Sequence, residues 1–202
     1  MNRSVRYGFS CLILLWGALA ASAQHSALAA QRSLDVLAER AETIVRGRVM
    51  SAKLEPHPQF TNLMTLAVTM QVDSVLKGSA AKTFTFRQYV WDVRSKYASN
   101  YKKGQELLLL LNKTSEYGLT SPAGMDQGRF DITRGPDGKA MAVNGMGNVG
   151  LFKGVQQSAA KKGITLSAKT KALAQGLDSG PVPLADLEDA IRSLKSGAQG
   201  VK

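Results

Sequence analysis

Residues 63–78 read LMTLAVTMQVDSVLKG, and this stretch decides the fold. Its large apolar side chains fall at every second position: Met64, Leu66, Val68, Met70 and Val72. Alternation with period two is typical of a strand that turns one face to a core and the other to water. The run exceeds the usual strand length, so it has room to bend around a barrel. We predict that it is the central strand of a small β-barrel.

Three further segments predict strands. Residues 41–53 are rich in β-branched side chains, and Gly47 within them indicates a bulge or a bend. Residues 82–90 alternate between apolar and polar side chains again. Residues 106–111, ELLLLL, follow Gly104 as a continuous apolar run. This run favours a strand that is buried on both faces.

A hairpin is predicted at residues 128–133 and 139–143, because the GPDG between them is a strong turn sequence. Residues 117–120 suggest another short strand. The glycine-rich residues 144–154 lack a phosphate-binding pattern. They predict an irregular loop that places residues 151–152, Leu-Phe, in the core.

Helices are predicted at both ends of the folded region and within it. Ser33 is placed to cap a short helix. Residues 91–103 carry valine, tyrosine and tyrosine at every fourth position, which predicts a short helix. Residues 155–182 are rich in Ala, Lys, Ser and Gly and predict a flexible linker. Residues 183–196 predict an amphipathic helix, and its apolar face consists of Leu184, Leu187, Ile191 and Leu194.

This order of elements predicts a mainly β domain over residues 31–154. An OB-like barrel of five or six strands, with a helix between strands 3 and 4, fits the order. A β-sandwich is the alternative. The C-terminal helix is expected either to cap the barrel or to dock into a partner's groove, and capping is favoured because apolar stripes rarely stay exposed.

The N-terminus has the organisation of a secretory signal. Arg3 and Arg6 precede a short apolar run, and small residues follow it up to Ala23. We predict a signal peptide over residues 1–23, cleavage near Ala23, and export to the periplasm or the extracellular space. The apolar run is too short to span a bilayer comfortably, so no transmembrane anchor is expected after cleavage.

Cleavage changes the chemistry of the mature chain. It removes Cys11, the single cysteine, so neither disulfides nor thiolate metal sites are expected. Losing Arg3 and Arg6 leaves 24 basic against 15 acidic side chains, a net charge of +9. A basic exported protein is suited to meet anionic envelope polymers or acidic proteins, although the charge also serves solubility. Export argues against an intracellular nucleic acid partner.

Three sequence anchors carry a resemblance. Residues 41–49 read AETIVRGRV, residues 72–78 read VDSVLKG, and residues 103–111 read KGQELLLLL. This pattern resembles a group of exported bacterial proteins of unknown function and, more distantly, the netrin-like OB domains that include the tissue inhibitors of metalloproteinases. The resemblance implies a binding protein, with a secreted protease as one possible class of partner. Those inhibitors use an N-terminal cysteine and several disulfides, which no residue of this chain matches, so their mechanism carries over to no position here.

Residues suited to catalysis are sparse. His57 lies between two prolines and is expected to be a solvated loop histidine. Asp126 and Asp131 flank a predicted strand without a positioned partner. No HExxH or GxSxG motif occurs. We therefore expect no enzymatic activity, no metal site and no cofactor.

Residues 87–103, RQYVWDVRSKYASNYKK, interleave basic and aromatic side chains. Basic groups hold phosphates or sulfates, and aromatic faces stack on sugars or bases. The candidate ligand-binding residues are Arg87, Tyr89, Trp91, Arg94, Lys96, Tyr97, Tyr101, Lys102 and Lys103. The competing interpretation is packing, in which the tyrosines fill the barrel and the lysines are solvated. The leading function is non-enzymatic binding of another exported protein, and binding of a polyanion or polysaccharide is the alternative.

Overall fold

The computed structural model describes residues 30–90 and 100–196. The chain from Gln31 onward forms one compact unit. It contains seven strands and four helices in the described part. The strands are β1 Thr43–Pro56, β2 Met64–Lys77, β3 Thr83–Tyr89, β4 Glu106–Leu111, β5 Arg129–Arg134, β6 Ala140–Asn144 and β7 Val182–Pro183. The helices are α1 Leu34–Arg40, α2 Val155–Lys161, α3 Ala168–Gly176 and α4 Leu184–Ser196.

All seven strands belong to one antiparallel sheet in the order β3-β2-β1-β4-β5-β6-β7. The chain is therefore mainly β, as predicted. The described strands do not close into a barrel, because β3 and β7 lie at opposite edges and do not pair. This open sheet is compatible with an open barrel or with a sandwich.

Strand β2 confirms the alternation predicted for residues 63–78 only in part, since residues 65–68 are buried on both faces. Leu66, Val68 and Met70 are buried in one core, and Gln71 and Asp73 are exposed. Its predicted central position is wrong, since β2 lies next to the edge strand β3 and the middle strand is β4. Periodicity reports which face of a strand is buried and says nothing about its neighbours.

Strand β4 is buried on both faces, as its apolar run predicted. Leu107, Leu109 and Leu111 belong to a core formed with β1, β2 and β3, which we call the inner core. Leu108 and Leu110 belong to a second core under the helices, which we call the helical core. Each of the five leucines is at most 1% exposed. One strand thus separates two apolar layers.

The helical core contains the apolar faces of the first and the last described helices. Helix α1 contributes Leu34 and Leu37, and the predicted apolar face of α4 is buried there too. The C-terminal helix therefore packs on its own domain, as predicted. Ser33 occupies the N-cap position of α1, but its hydroxyl donates to the Asp35 carboxylate and not to the helix backbone.

Residues 155–182 differ from the predicted flexible linker. They contain α2, α3 and the short strand β7. Val155, Ala159, Leu166 and Val182 are buried in the helical core. Their composition is too mixed for a strong helical periodicity, so the structure depends on packing against distant elements that a local pattern does not contain.

Other loops match the sequence in part. The hairpin β5–β6 and its turn are confirmed, as is the burial of Leu151 and Phe152 in the helical core. Residues 117–120 form turns and not the short strand suggested. Most of the predicted helix at 91–103 lies outside the described residues, and its last residues, 100–103, are not helical. Among the described helices, none has the length and apolar character needed to cross a membrane.

Gly47 marks the bulge predicted in β1. The register between β1 and β2 shifts at Arg46/Gly47, with further shifts on either side. A Cβ atom at this position would lie 2.1 Å from the carbonyl oxygen of Gln71. No real side chain fits so close to backbone, so the approach of β1 to β2 requires glycine here.

We expect Gly47→Ala to lower the free energy of unfolding by about 3 kcal/mol, because the backbone must move to accept the methyl group. Urea denaturation measures the change. The matched control is Gly176→Ala at the end of α3, where an added Cβ meets no atom within 4 Å. This control should change stability by less than about 1 kcal/mol. Equal effects of the two substitutions would contradict the tight approach at Gly47.

Candidate functional site

The predicted basic and aromatic residues do not form one surface in the described part of the chain. Trp91, Arg94, Lys96 and Tyr97 lie outside the described residues. The members that the structure describes have three different environments.

Arg87 is engaged within the sheet. Its guanidinium forms an ion pair with Glu55 at 2.8 Å and donates to the Thr65 hydroxyl at 3.0 Å. Both partners belong to the neighbouring strands β1 and β2. Arg87 therefore fixes side chains across the sheet, and its charge is largely compensated.

Tyr101 is a core residue. It is 7% exposed, and its ring meets Phe86 edge to face at 5.7 Å. The Arg129 guanidinium lies 5.2 Å from the ring centroid, within the range of a cation–π contact. Burial raises the pKa of the Tyr101 phenol above its ordinary value of 10.0. For this tyrosine the packing interpretation is correct.

Tyr89, Lys102 and Lys103 are exposed but separate. Tyr89 pairs with Thr65 of β2. Gly104, next to Lys103, donates to Val49, which lies opposite Met70 of β2. Thr65 and Met70 are five residues apart, a distance of about 17 Å along a strand. The two lysines therefore form a local basic site without this tyrosine.

His57 is buried, so the expectation of a solvated histidine is wrong. It is 4% exposed. Its Nδ1 accepts from the backbone N–H groups of Gln59 and Phe60, at 3.1 and 3.2 Å. Nε2 must then carry the proton, which it donates to the Tyr117 carbonyl at 2.8 Å. The imidazole closes its own loop and ties it to a second one.

The Asp131 carboxylate has structural partners as well, whereas Asp126 contributes to the fold through its backbone. Asp131 accepts from Arg129 at 2.9 Å and from Gln105. The backbone carbonyl of Asp126 accepts from Gly145 at 3.0 Å. In residues 30–90 and 100–196, no three His, Cys, Asp or Glu side chains converge in a way that would hold a metal ion.

A rigid loop surface was not anticipated from the sequence. Asn144 and Asn148 exchange hydrogen bonds, since each side-chain oxygen accepts from the other residue's backbone N–H at 2.9 Å. The Asn148 amide also donates to the carbonyls of Ala142 and Gly180, both at 2.9 Å. Both asparagines are buried. This network fixes the glycine-rich loop that follows β6.

The fixed loop displays apolar side chains. Met146 and Val149 are 48% and 52% exposed. Met125, on the adjacent 3-10 turn, is 66% exposed, and the Asp126–Gly145 hydrogen bond joins this turn to the loop. We call Met125, Met146 and Val149 the apolar platform. Asparagines four residues apart among glycines were the available sequence signal.

A second unanticipated feature is a cleft of about 380 Å³ beneath α1, α2 and α4. We call it the lysine cleft. Its apolar lining consists of Ala38, Ile44, Ala159, Ile164, Ile191 and Leu194. Its charged lining consists of Lys77, Lys162, Lys195, Asp35 and Glu39. No single segment contains these residues, so no local pattern pointed to the cleft.

Lys77 is the most constrained of the three lysines. Its ammonium donates to the carbonyls of Ala38 and Glu39 at 2.8 and 3.1 Å, near the end of α1. A cation is favourable at a helix C-terminus. Burial lowers the pKa of Lys77, an effect that Glu39 opposes and Lys195 reinforces. Lys77 and Lys195 therefore act on each other across the cleft.

Comparison with protein-family models, with curated proteins and with solved structures found no match to this chain.

The buried Tyr101 phenol should make stability depend on alkaline pH. In the unfolded chain the phenol ionises near pH 10, whereas in the fold it stays neutral. Its contribution is complete below pH 10 and is lost as the pH rises further. We expect the stability advantage of the wild type over Tyr101→Phe to shrink by about 1.4 kcal/mol per pH unit above pH 10.

Urea denaturation between pH 8 and 11.5 provides the measurement. Tyr117→Phe, at a half-exposed tyrosine, is the matched control for removal of a phenol hydroxyl. A difference between the wild type and Tyr101→Phe that does not change with pH would contradict the burial of a neutral phenol.

Proposed function

We propose that this chain is an exported, non-enzymatic binding protein that docks another exported protein on the apolar platform. The observation that carries the proposal is the exposure of Met146 and Val149 on a loop held by buried asparagines, and of Met125 on the adjacent 3-10 turn. Exposed apolar side chains that lie together are typical of interaction surfaces. Methionine adapts its shape to a partner at little cost, and a fixed backbone reduces the entropy lost on binding.

Backbone strain at the apolar platform and in the loop next to it supports a binding role. Met125 and Asn148 adopt left-handed backbone conformations, with φ of 61° and 56°. Residues other than glycine seldom do so, and such conformations occur preferentially at functional sites. In Asn148 the side-chain network stabilises the conformation, whereas the Met125 side chain is mostly in solvent.

The compartment and the finer fold belong to the same proposal. Residues 1–23 lie outside the described residues, and their sequence supports a signal peptide and export. An OB-like barrel related to the netrin-like domains is supported by the bulged β1, which can bend. A hydrogen bond from Thr120 N–H to the Arg87 carbonyl also brings the segment after β4 to the edge strand β3. A secreted protease is the class of partner that the resemblance implies.

The apolar platform is tested by using the protein to capture binding partners from the exported proteins of the organism that makes it. The triple variant Met125→Ser/Met146→Ser/Val149→Ser should capture at least about tenfold less of the proteins that the wild type enriches, as measured by quantitative mass spectrometry. The matched control is Met50→Ser/Leu54→Ser, which removes exposed apolar side chains from β1. Thermal denaturation verifies that each variant folds. Equal losses in both variants, or in neither, would contradict the platform.

The alternative function is binding of an anionic polymer. Lys102 and Lys103 are exposed, and neither forms an ion pair with a described residue. Their charges are therefore available to sulfate or phosphate groups. The loss of Arg87 and Tyr101 to structural roles makes the site smaller than the sequence suggested.

Heparin serves as the probe for this alternative. If the site binds polyanions, log Kd should vary linearly with log salt, and Lys102→Ala/Lys103→Ala should make the slope shallower because fewer counterions are released. Lys169→Ala/Lys171→Ala removes two lysines from α3 and is the control for net charge. The same change of slope in both double variants would show that net charge, and not this site, drives binding.

A further inference from the structure

The lysine cleft combines an apolar lining with two ammonium groups that form no ion pair with a described residue. Lys162 pairs with Glu39 at 2.6 Å, so these two charges compensate each other. Asp35 accepts from the Ser33 hydroxyl. In the described part of the chain, neither Lys77 nor Lys195 has a carboxylate within ion-pair distance. The lining thus carries three ammonium groups and two carboxylates, an excess of one positive charge next to apolar surface.

Both ammonium groups are held in place by neutral acceptors. Lys77 donates to two carbonyls of α1, and Lys195 donates to the Leu76 carbonyl at 3.3 Å. A lysine ammonium has three donors. Among the described residues, one donor of Lys77 and two of Lys195 therefore have no acceptor and can bind a ligand. Leu76 and Lys77 are consecutive residues of β2, so both ammonium groups lie at the same end of this strand.

The geometry points to a ligand that has both an apolar and an anionic part. We propose that the lysine cleft binds a single-chain amphiphile, with its alkyl chain against the apolar lining and its carboxylate or phosphate head between Lys77 and Lys195. An anion there would relieve the repulsion between the two ammonium groups. It would also accept charge-assisted hydrogen bonds in a partly dehydrated setting, where they are strong.

The size of the cleft favours a small ligand. A volume of about 380 Å³ lies within the range of small-molecule sites. A helix from a partner protein is about 10 Å across and needs a long open groove. A flexible alkyl chain suits a narrow site between three helices better. This site uses different residues from the apolar platform, so the two proposals stand or fall separately.

Isothermal titration with dodecanoate and with dodecyl phosphate, below their micelle concentrations, tests the proposal. Each should bind one to one, and decanoate should bind roughly tenfold more weakly than dodecanoate, since two methylenes are lost. Dodecyltrimethylammonium has the same chain with a cationic head and should not bind measurably. Acetate and inorganic phosphate, which have the head alone, should bind at least about a hundredfold more weakly.

Preference for dodecanoate over dodecyl phosphate, or the reverse, distinguishes a fatty acid from a phosphate-bearing lipid as the source of the ligand. Saturable binding of the cationic amphiphile with similar affinity would overturn the proposal, because the head would then play no part. Tight binding of the heads alone would overturn it as well, because the chain would be unnecessary.

Substitutions locate the site. Lys77→Met and Lys195→Met should each weaken dodecanoate binding by about fivefold or more. Lys195→Arg keeps the positive charge and should retain most of the wild-type affinity. Lys77→Met also removes a cap from α1, so its thermal stability must be compared with that of Lys195→Met. Lys53→Met, at the far end of β1, is the matched control and should bind as the wild type does. If both cleft variants fold and bind dodecanoate normally, the assignment is wrong.

Discussion

The structure depends on one strand that is apolar on both faces. Because β4 buries leucines on either side, each of its faces needs its own apolar layer. Strands β1, β2 and β3 supply the inner core on one side, and β1 is bulged against β2. Helices α1, α2 and α4 supply the helical core on the other. The position of β4 in the middle of the sheet therefore determines where α1, α2 and α4 pack.

A group of charges joins the two layers at their margin. Arg46 of β1 bonds Glu188 of α4 at 2.9 Å and Glu106 of β4 at 3.3 Å. Arg134 and Arg192 complete the group through the same two glutamates. The two glutamates are largely buried, and a buried charge without a partner is costly. The network therefore constrains the orientation of α4, while the apolar face of that helix supplies most of its attachment.

The sequence predicted well whatever depends on local periodicity or turn chemistry. The alternation of β2, the continuous apolar run of β4 and the GPDG hairpin are local signals, and the structure confirms them. The sequence-based predictions were wrong where contacts with residues distant in the chain determine the structure. His57 looked solvated because its acceptor, the Tyr117 carbonyl, is sixty residues away. Residues 155–182 looked like a linker because the core that orders them belongs to other segments.

The three candidate sites differ in the same respect: a local sequence pattern marks the first two, and distant partners alone form the third. The loop after β6 could have been singled out from Asn144 and Asn148, since short polar side chains among glycines often stabilise left-handed conformations. The basic and aromatic segment was a local pattern too, but Tyr101 and Arg87 serve packing and pairing within the sheet. The lysine cleft could not have been found, because α1, the end of β2, α2 and α4 meet there only in three dimensions.

One residue, Lys77, both lines the cleft and holds the fold together. Lys77 lies at the end of β2, contacts the carbonyls at the end of α1 and lines the cleft. Two of its donors stabilise the helix, and the third has no acceptor among the described residues. An anion that engages the third donor keeps the ammonium charged, which strengthens its bonds to the helix carbonyls. Occupation of the cleft and the attachment of α1 to the sheet therefore favour each other. Lys77, which holds α1 in place, is thus also the residue that would couple ligand binding to the stability of the domain.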